Sequence, residues 1–290
     1  MNYWIVADVC SDLPKTYAFA HKRLSLLPMS YSIDGQEYTY NVGDEVRCSD
    51  FYGQLRDGKK AVTSQIGISA YYDVFKEITA SGEGVLCLPL SSGISGSVQN
   101  ALSASRQLTE KRPEAQIRVL DSLAASMGIG LLLDRVIENR AKGMSLEENA
   151  AWVLENRLRV HHWFTVDDLN HLYRGGRLSR SSALLGSMLR IKPVLKVNRE
   201  GKLVAFEKVQ GRKRSLKALA DAAKEHAKKE YGKKVFISHA DAPEDAEYLA
   251  GLIREELPFV EEIFVSPIGA VIGAHSGPGT VAVFFMGEER

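Results

Sequence analysis

Short apolar runs alternate with amphipathic segments along the first 160 residues of the chain. Apolar runs at residues 3–7, 84–90 and 117–120 are each followed by a polar or glycine-rich loop and then by apolar residues at helical spacing. Short apolar runs favour buried strands, whereas a spacing of three to four residues favours helices. The pattern therefore predicts strands that alternate with helices in a mostly parallel α/β sheet.

Two segments near the start depart from this alternation. "LSLLPMSYSIDGQEYTY" alternates apolar and polar residues around Asp34-Gly35, which predicts a β-hairpin. "SDLP" predicts a helix start, with Ser11 or Asp12 as the N-cap and Pro14 in the first turn. We expect the hairpin to belong to a small β insertion at about residues 25–60, within an N-terminal α/β domain of residues 1–160.

The pattern of apolar and polar residues changes at residue 161. We place the start of a C-terminal α/β domain, residues 161–290, at this point. A strand, a short helix, a Gly-Gly turn, a small-residue helix and two strands paired through Glu200-Gly201 are predicted first. A basic helix at 213–231 and a strand–helix–strand unit follow. The stretch "VIGAHSGPGTVAVFF" then reads as two apolar strands around a tight bend, and this bend holds His275 and Ser276.

Composition narrows the class of protein. Of the 290 residues, 45% are hydrophobic and 25% charged, which is typical of globular domains, and the net charge of +1 argues against a nucleic-acid binder that relies on phosphate contacts. Three scattered cysteines suggest neither a disulfide framework nor a zinc site. With no signal peptide and no long apolar run, we expect a cytoplasmic protein with no stable membrane insertion.

Two nucleotide-binding signatures are matched only superficially. "GQLRDGKK" resembles a phosphate-binding loop, but Lys60 stands where Ser or Thr would hold magnesium. "GPGTVA" resembles a dinucleotide fingerprint, but it opens a predicted strand instead of a helix. The chain is therefore not expected to bind ATP by itself in a standard way, and no metal or cofactor is predicted.

Two hydroxyl-rich loops precede helices and are candidates for holding a small anion. "TSQIGIS" supplies Thr63 and Ser64, and "SSGISGS" supplies Ser95 and Gly96. Helix N-termini offer free N–H groups and a positive dipole end, so two such loops side by side suit a carboxylate or a phosphate. Ordinary helix capping by Ser and Thr is the alternative interpretation.

The remaining candidates are one histidine and a cluster of arginines. His275 is either a ligand beside an anion or a turn histidine that bonds to backbone groups. "YRGGRLSRSS" places Arg174, Arg177 and Arg180 around a Gly-Gly turn, either as a dock for phosphate or an acidic partner or as a solvated basic turn. A Ser–His hydrolase would need an orienting carboxylate such as Asp8, Asp12 or Asp121, and no nucleophile elbow supports one.

Taken in order, these stretches resemble the DegV family over nearly the whole chain. The segments that carry the resemblance are "ADVCSDLP", "TSQIGIS", "SSGISGSVQNA", "VLDSLAASMGIG", "LYRGGRLS" and "IGAVIGAHSGPGTVAVFF". The chain departs from the family pattern at two places. Ile66 and Gly67 follow Gln65 where the family usually has "TSQPS", and Val9 and Cys10 follow Asp8 where it usually has Asp-Ser.

The resemblance implies two α/β domains with a ligand site between them, a small β subdomain inserted in the first, and a bound long-chain fatty acid. It implies a non-catalytic role, in which the chain presents the fatty-acid carboxyl group to a separate ATP-binding kinase subunit that makes an acyl phosphate for phospholipid synthesis. Thr63, Ser64, Ser95, Gly96 and His275 would hold the carboxylate, and Arg177 and Arg174 are candidates for docking the kinase or its phosphate. A Ser–His esterase or thioesterase at the same site, and a lipid-responsive interaction protein, remain the alternatives.

Overall fold

The computed structural model describes residues 2–44, 48–179 and 191–290. The elements up to residue 156 are, in chain order, β1 (Tyr3–Asp8), α1 (Lys15–Ala20), β2 (Leu24–Leu27), β3 (Met29–Ile33), β4 (Gln36–Tyr40), α2 (Cys48–Arg56), β5 (Ala61–Thr63), α3 (Ile68–Ala80), β6 (Gly84–Cys87), α4 (Ser97–Lys111), β7 (Ile117–Val119), α5 (Met127–Ala141) and α6 (Leu146–Asn156). Those that follow are β8 (Val160–Thr165), α7 (Asn170–Arg174), β9 (Ile191–Val197), β10 (Leu203–Gln210), α8 (Arg212–His226), β11 (Lys234–His239), α9 (Pro243–Glu256), β12 (Glu262–Pro267), α10 (Ala270–Ser276) and β13 (Val281–Met286).

The described strands form three sheets, and the predicted α/β fold class is confirmed. The first is a parallel sheet in the order β2-β1-β6-β7, built from residues 3–119. The second, β10-β9-β8-β13-β11-β12, uses residues 160–286 and is mixed, since only its β11–β12 pair is parallel. The expectation of a mostly parallel sheet therefore holds for the first of these sheets alone. A division into domains at residue 160 stays a prediction.

The third sheet is small and antiparallel, in the order β4-β3-β5. Its β3–β4 hairpin turns at Asp34 and Gly35, whose φ angles of 48° and 86° both lie in the left-handed region. A two-residue turn with two positive φ angles matches the twist of the flanking strands, which is why Asp-Gly is favoured there. The predicted hairpin is confirmed. The sheet brings the end of β5, and with it Thr63, towards the second half of the chain.

The N-terminal helix begins later than the sequence predicted. Residues 9–11 form a single 3-10 turn, Asp12 adopts a left-handed backbone with φ of 52°, and α1 begins after Pro14. The prediction of Ser11 or Asp12 as the N-cap of this helix is wrong. The carboxylate of Asp12 is engaged elsewhere, because it accepts hydrogen bonds from the Ser126 hydroxyl and from the Gly269 N–H group.

The apolar run at residue 271 is helical, which corrects the prediction of two strands around a bend. α10 begins after Gly269 and ends at Ser276, before Gly277, whose φ of 78° suits a glycine. A short apolar run does not by itself distinguish a buried helix from a strand, and here the small residues Gly273 and Ala274 let the helix pack closely. His275 therefore lies in the last turn of a short helix, and β13 begins at Val281.

The mixed sheet is covered on both faces, and this determines where a cavity can form. Trp163, Val281 and Val283 face one way and pack in a core with residues of α8 and α9. Phe164, Ala282 and other residues of the same strands face the opposite way, towards the core of the first half. All six residues of β13 are buried as a result. The small-residue helix predicted after the Gly-Gly turn, and Arg180 with it, lie outside the described residues.

Candidate functional site

An apolar cavity of about 300 Å³ lies where the loops of the parallel sheet meet the mixed sheet. This volume is at the lower end of the range for small-molecule sites. The first half of the chain contributes, among others, Leu90 and Ile94 to its wall, and the second half contributes Phe164 and Phe284. The polar side chains that also line it are Thr63, Gln65, Ser95, Ser126, His162, Arg177, His275, Ser276 and Thr280.

Two of the predicted site residues, 212 positions apart in the chain, are in direct contact. Thr63 ends β5, His275 lies in the last turn of α10, and the Thr63 Oγ1 to His275 Nε2 distance is 2.7 Å. The other ring nitrogen, Nδ1, is buried and has no hydrogen-bond partner among the described residues. The ring is packed against Gly175, where a Cβ atom would come within 2.2 Å of Nδ1. Residue 175 must therefore lack a side chain for the imidazole to take this position.

His275 is uncharged at neutral pH. Burial, and then the nearby Arg177 guanidinium, lower the pKa of His275 to about 4. We assign the proton to Nε2, where it is donated to Thr63, because a buried unpaired N–H at Nδ1 would cost more than an unpaired lone pair. The Thr63 hydroxyl then accepts from the imidazole and keeps its own proton to donate into the cavity.

Ser95 reaches the cavity from the loop before α4. Its Oγ accepts from the Ser97 N–H group at 3.2 Å and lies 3.0 Å from the Ser97 hydroxyl. The loop is held at its base by Asp8, whose carboxylate accepts from the Leu90 N–H group at 2.9 Å. Gly96 is the N-cap of α4, and a Cβ there would meet the Gln65 side chain at 2.1 Å. The two hydroxyl-rich loops therefore lie against each other.

Arg177 is less exposed than its position after two glycines suggested. It is half-buried and lines the cavity, with Nε donating to the Ile94 carbonyl at 3.0 Å and Nη1 donating to the Gly175 carbonyl at 2.5 Å. These contacts tie it to the loop that carries Ser95 and to Gly175, against which the His275 ring packs. Thr63, Ser95, Arg177 and His275 thus gather on one side of the cavity.

Other predicted residues lie away from this group. Ser64 is exposed, outside the cavity lining, and its N–H group donates to the Ser30 carbonyl. Arg174 is exposed, and its Nη2 lies 3.2 Å from His171 Nδ1. Asp121, a candidate orienting carboxylate, instead accepts hydrogen bonds from the Ser92 N–H group and hydroxyl. Ser64 and Arg174 therefore lie outside the cavity wall.

Several residues of the wall were not assigned to the site from the sequence. Gln65 was part of the quoted "TSQ" loop, and Ser276 was noted beside His275, so adjacency was the available signal for both. The Ser276 hydroxyl is buried and has no hydrogen-bond partner among the described residues. Ser126 was part of the quoted "VLDSLAASMGIG" segment. His162 gave no signal, because only the pairing of β8 with β13 brings it to the wall.

The described part of the chain contains no cluster of three or more His, Cys, Asp or Glu side chains that could hold a metal ion. Its helices are all too short or too polar to cross a membrane. All three cysteines are buried.

Comparisons with known proteins extend over nearly the whole chain. The family model described as "Uncharacterised protein, DegV family" matches residues 3–288. A DegV domain-containing protein of Clostridium perfringens is 41% identical over 289 residues, covering 100% of this chain and 99% of that protein. A DegV family protein of Thermus thermophilus, described as fatty-acid binding, is 27% identical with a TM-score of 0.88, covering 99% of this chain and 100% of the other. DegV of Bacillus subtilis, described as a fatty acid binding protein, is 28% identical with a TM-score of 0.84 at the same coverage.

Proposed function

The chain belongs to the DegV family, and we propose that it binds a long-chain fatty acid and presents the carboxyl group to a separate ATP-dependent kinase subunit. The product would be an acyl phosphate for phospholipid synthesis, made in the cytoplasm. The observation that carries the proposal is the gathering of Thr63, Ser95, Arg177 and His275 on one side of an otherwise largely apolar cavity. Fatty-acid binding by two structural relatives above 25% identity supports it.

The carboxylate would accept hydrogen bonds from the hydroxyl groups of Thr63 and Ser95. Because His275 is neutral, its part is to orient the Thr63 hydroxyl, and the positive charge that balances the carboxylate comes from Arg177. A guanidinium remains charged when half-buried and suits both a carboxylate and a phosphate. The Arg177 guanidinium would therefore pair with the carboxylate of the substrate and with the phosphate of the product. Gly96 would contribute by close approach of its backbone.

The acyl tail would occupy the apolar part of the cavity. At about 0.8 kcal/mol per buried methylene, a tail of some 14 methylenes contributes roughly 11 kcal/mol before the costs of binding. The tail therefore dominates the affinity, and the polar group sets the orientation of the ligand. Binding through the tail, with the carboxyl group only oriented, suits a carrier that must hold the carboxyl group where another protein can reach it.

A hydrolase at the same site is less well supported by the geometry. A Ser–His–Asp triad needs a serine on one imidazole nitrogen and an orienting carboxylate on the other. In the described residues, His275 Nε2 bonds to a threonine and Nδ1 faces Gly175 without a partner. The carboxylates of Asp8 and Asp12 accept hydrogen bonds from other groups.

Acyl-phosphate formation in a reconstituted assay with the kinase subunit, ATP and palmitate tests the proposal. We expect product only when this chain is present. Arg174→Ala should keep palmitate affinity and raise the concentration of carrier that gives half-maximal product, since Arg174 is exposed outside the cavity lining and suits a docking role. Lys208→Ala, which removes an exposed cation from β10, is the matched control. Carrier-independent product formation, or equal effects of the two variants, would contradict this proposal.

A further inference from the structure

The register of β8 and β13 shows which residues line the cavity from one end to the other. On β13 and just before it, alternate residues face the cavity, namely Thr280, Ala282 and Phe284, and on β8 His162 and Phe164 do so. The two strands are antiparallel neighbours, with Ala282 opposite Phe164 and Phe284 opposite His162. Side chains two apart on a strand share a face, so this set forms a single wall.

One end of this wall is the polar end of the cavity. The Thr280 hydroxyl donates to the carbonyl of Ser276, the residue next to His275. From Thr280 to Phe284 the strand advances by four residues, which is about 13 Å. The pair of His162 and Phe284 therefore lies about 13 Å beyond Thr280, which is itself hydrogen-bonded to the helix turn that carries His275.

The same pair is also the last of the wall. The next pair along these strands that would face this way is Val160 and Met286, and both side chains are buried and outside the cavity lining. Met286 instead packs near Gly232, where a Cβ atom would come within 3.1 Å of it. Along β8 and β13 the cavity thus ends at His162 and Phe284.

His162 is held in place from several sides. Its Nε2 accepts from the Ala125 N–H group at 3.3 Å, and its ring meets Phe284 edge to face with centroids 5.4 Å apart. The ring also lies against Gly128 of α5, where a Cβ would come within 2.0 Å of Nε2. An aromatic ring fixed in this way cannot move aside as a flexible methionine would.

Arg290 closes the space behind this ring. Its Nη1 lies 3.5 Å from His162 Nδ1, its Nε donates to the Asn198 carbonyl at 3.1 Å, and the guanidinium also donates to the Val160 and Leu123 carbonyls. Burial, and then this cation, hold the pKa of His162 well below its usual range. The ring is therefore neutral, and a neutral ring whose Nε2 is already bonded is a wall that a methyl group can touch at little cost.

We propose that His162 ends the acyl cavity and sets the longest fatty-acid chain that this protein accepts. The inference rests on the proposed binding of a fatty acid. It adds that the distance from the carboxylate site to the His162 ring limits the length of the bound acyl chain.

A chain-length series tests the inference. The dissociation constants of even-numbered saturated fatty acids, from decanoate to eicosanoate, are measured by displacement of a fluorescent fatty acid. For the wild-type protein, each added methylene should raise affinity about fourfold, since 0.8 kcal/mol converts at 1.4 kcal/mol per tenfold. The increase should stop at one length. In His162→Ala the limit should move up by about two carbons, so that the first acid beyond the wild-type limit binds at least tenfold more tightly.

His161→Ala is the matched control. His161 is the next residue of β8 and is buried too, but its ring faces the other side of the sheet and stacks between His226 and Phe285. This variant should keep the wild-type length limit. If His162→Ala does not fold, His162→Gln keeps an acceptor for the Ala125 N–H group on a flexible side chain and should shift the limit in the same direction.

The outcomes separate the two proposals. A wild-type protein that binds no acid of the series contradicts the proposed function. A different outcome is a clear wild-type length limit that folded His162 variants do not change, or that His161→Ala moves equally. Either result overturns the inference about His162 and leaves the proposed fatty-acid binding intact.

Discussion

Replacement of Thr63 by valine removes a single hydroxyl group at the centre of the proposed carboxylate site. Valine keeps the branched shape of threonine, so the wall of the cavity is preserved and only the hydrogen bonds change. In the wild-type protein Thr63 Oγ1 lies 2.7 Å from His275 Nε2 and faces the same cavity as Ser95 and Arg177. The variant loses both the contact with the imidazole and the hydroxyl proposed to meet the carboxylate.

The expected loss of affinity follows from the charge of the ligand. A hydrogen bond to a charged group contributes about 1.5–3 kcal/mol, which corresponds to a rise of about 10- to 150-fold in the dissociation constant for palmitate. Roughly 11 kcal/mol of gross stabilisation by the buried tail remains, so binding should be weakened and not abolished. The free energy of unfolding should also fall, by about 1–3 kcal/mol, because the buried Nε2–H group of His275 loses its acceptor.

The assay is displacement of a fluorescent fatty acid by palmitate, with two matched variants. Thr63→Ser keeps the hydroxyl and should bind nearly as the wild-type protein does. Ser64→Ala, at the exposed neighbouring position, should have no effect. Equal affinities of Thr63→Val and the wild-type protein would refute the assignment of the carboxylate to this end of the cavity.

Two other predictions concern ionisable groups. Arg177→Ala should raise the pKa of His275 from about 4, because the guanidinium is one cause of its low value, and should weaken palmitate binding; an NMR titration in which the imidazole pKa is unchanged would contradict this. Asp12→Asn should become more stable relative to the wild-type protein as pH rises from about 4 to about 7. Burial raises the pKa of Asp12 to about 7, so the folded protein binds a proton that the unfolded chain releases in this window, and wild-type stability falls across it. Urea unfolding at about pH 4 and about pH 7 measures the difference in free energy of unfolding between the variant and the wild-type protein. A difference that does not change with pH would contradict the raised pKa of Asp12.

Local patterns predicted much of the fold. The Asp-Gly hairpin follows from backbone preferences that two residues carry by themselves, and the alternation of strands and helices predicted the parallel sheet. The segment at Val271 was predicted wrongly, since its apolar residues suit a strand and a buried helix equally. Asp12 was assigned to a helix N-cap because the pattern does not show its bonds to residues 114 and 257 positions away.

The candidate site, too, could be predicted from the sequence only in part. Thr63, Ser95 and His275 were found from hydroxyl-rich loops and from a histidine at a bend, and the structure brings them to one cavity. Arg177 was expected at the surface, because glycines suggest an exposed turn, yet the turn folds inwards onto His275. His162 was not found, since its place in the wall depends on the register of two strands more than 100 residues apart.

The mass of the ligand that remains bound during purification tests the central claim most directly. Native mass spectrometry of the purified protein, followed by organic extraction, should show one fatty acid per chain, with an acyl chain of roughly 14 to 18 carbons whose tail is buried in the cavity. A protein that carries no acyl chain, and that also fails to bind added palmitate, would contradict the account.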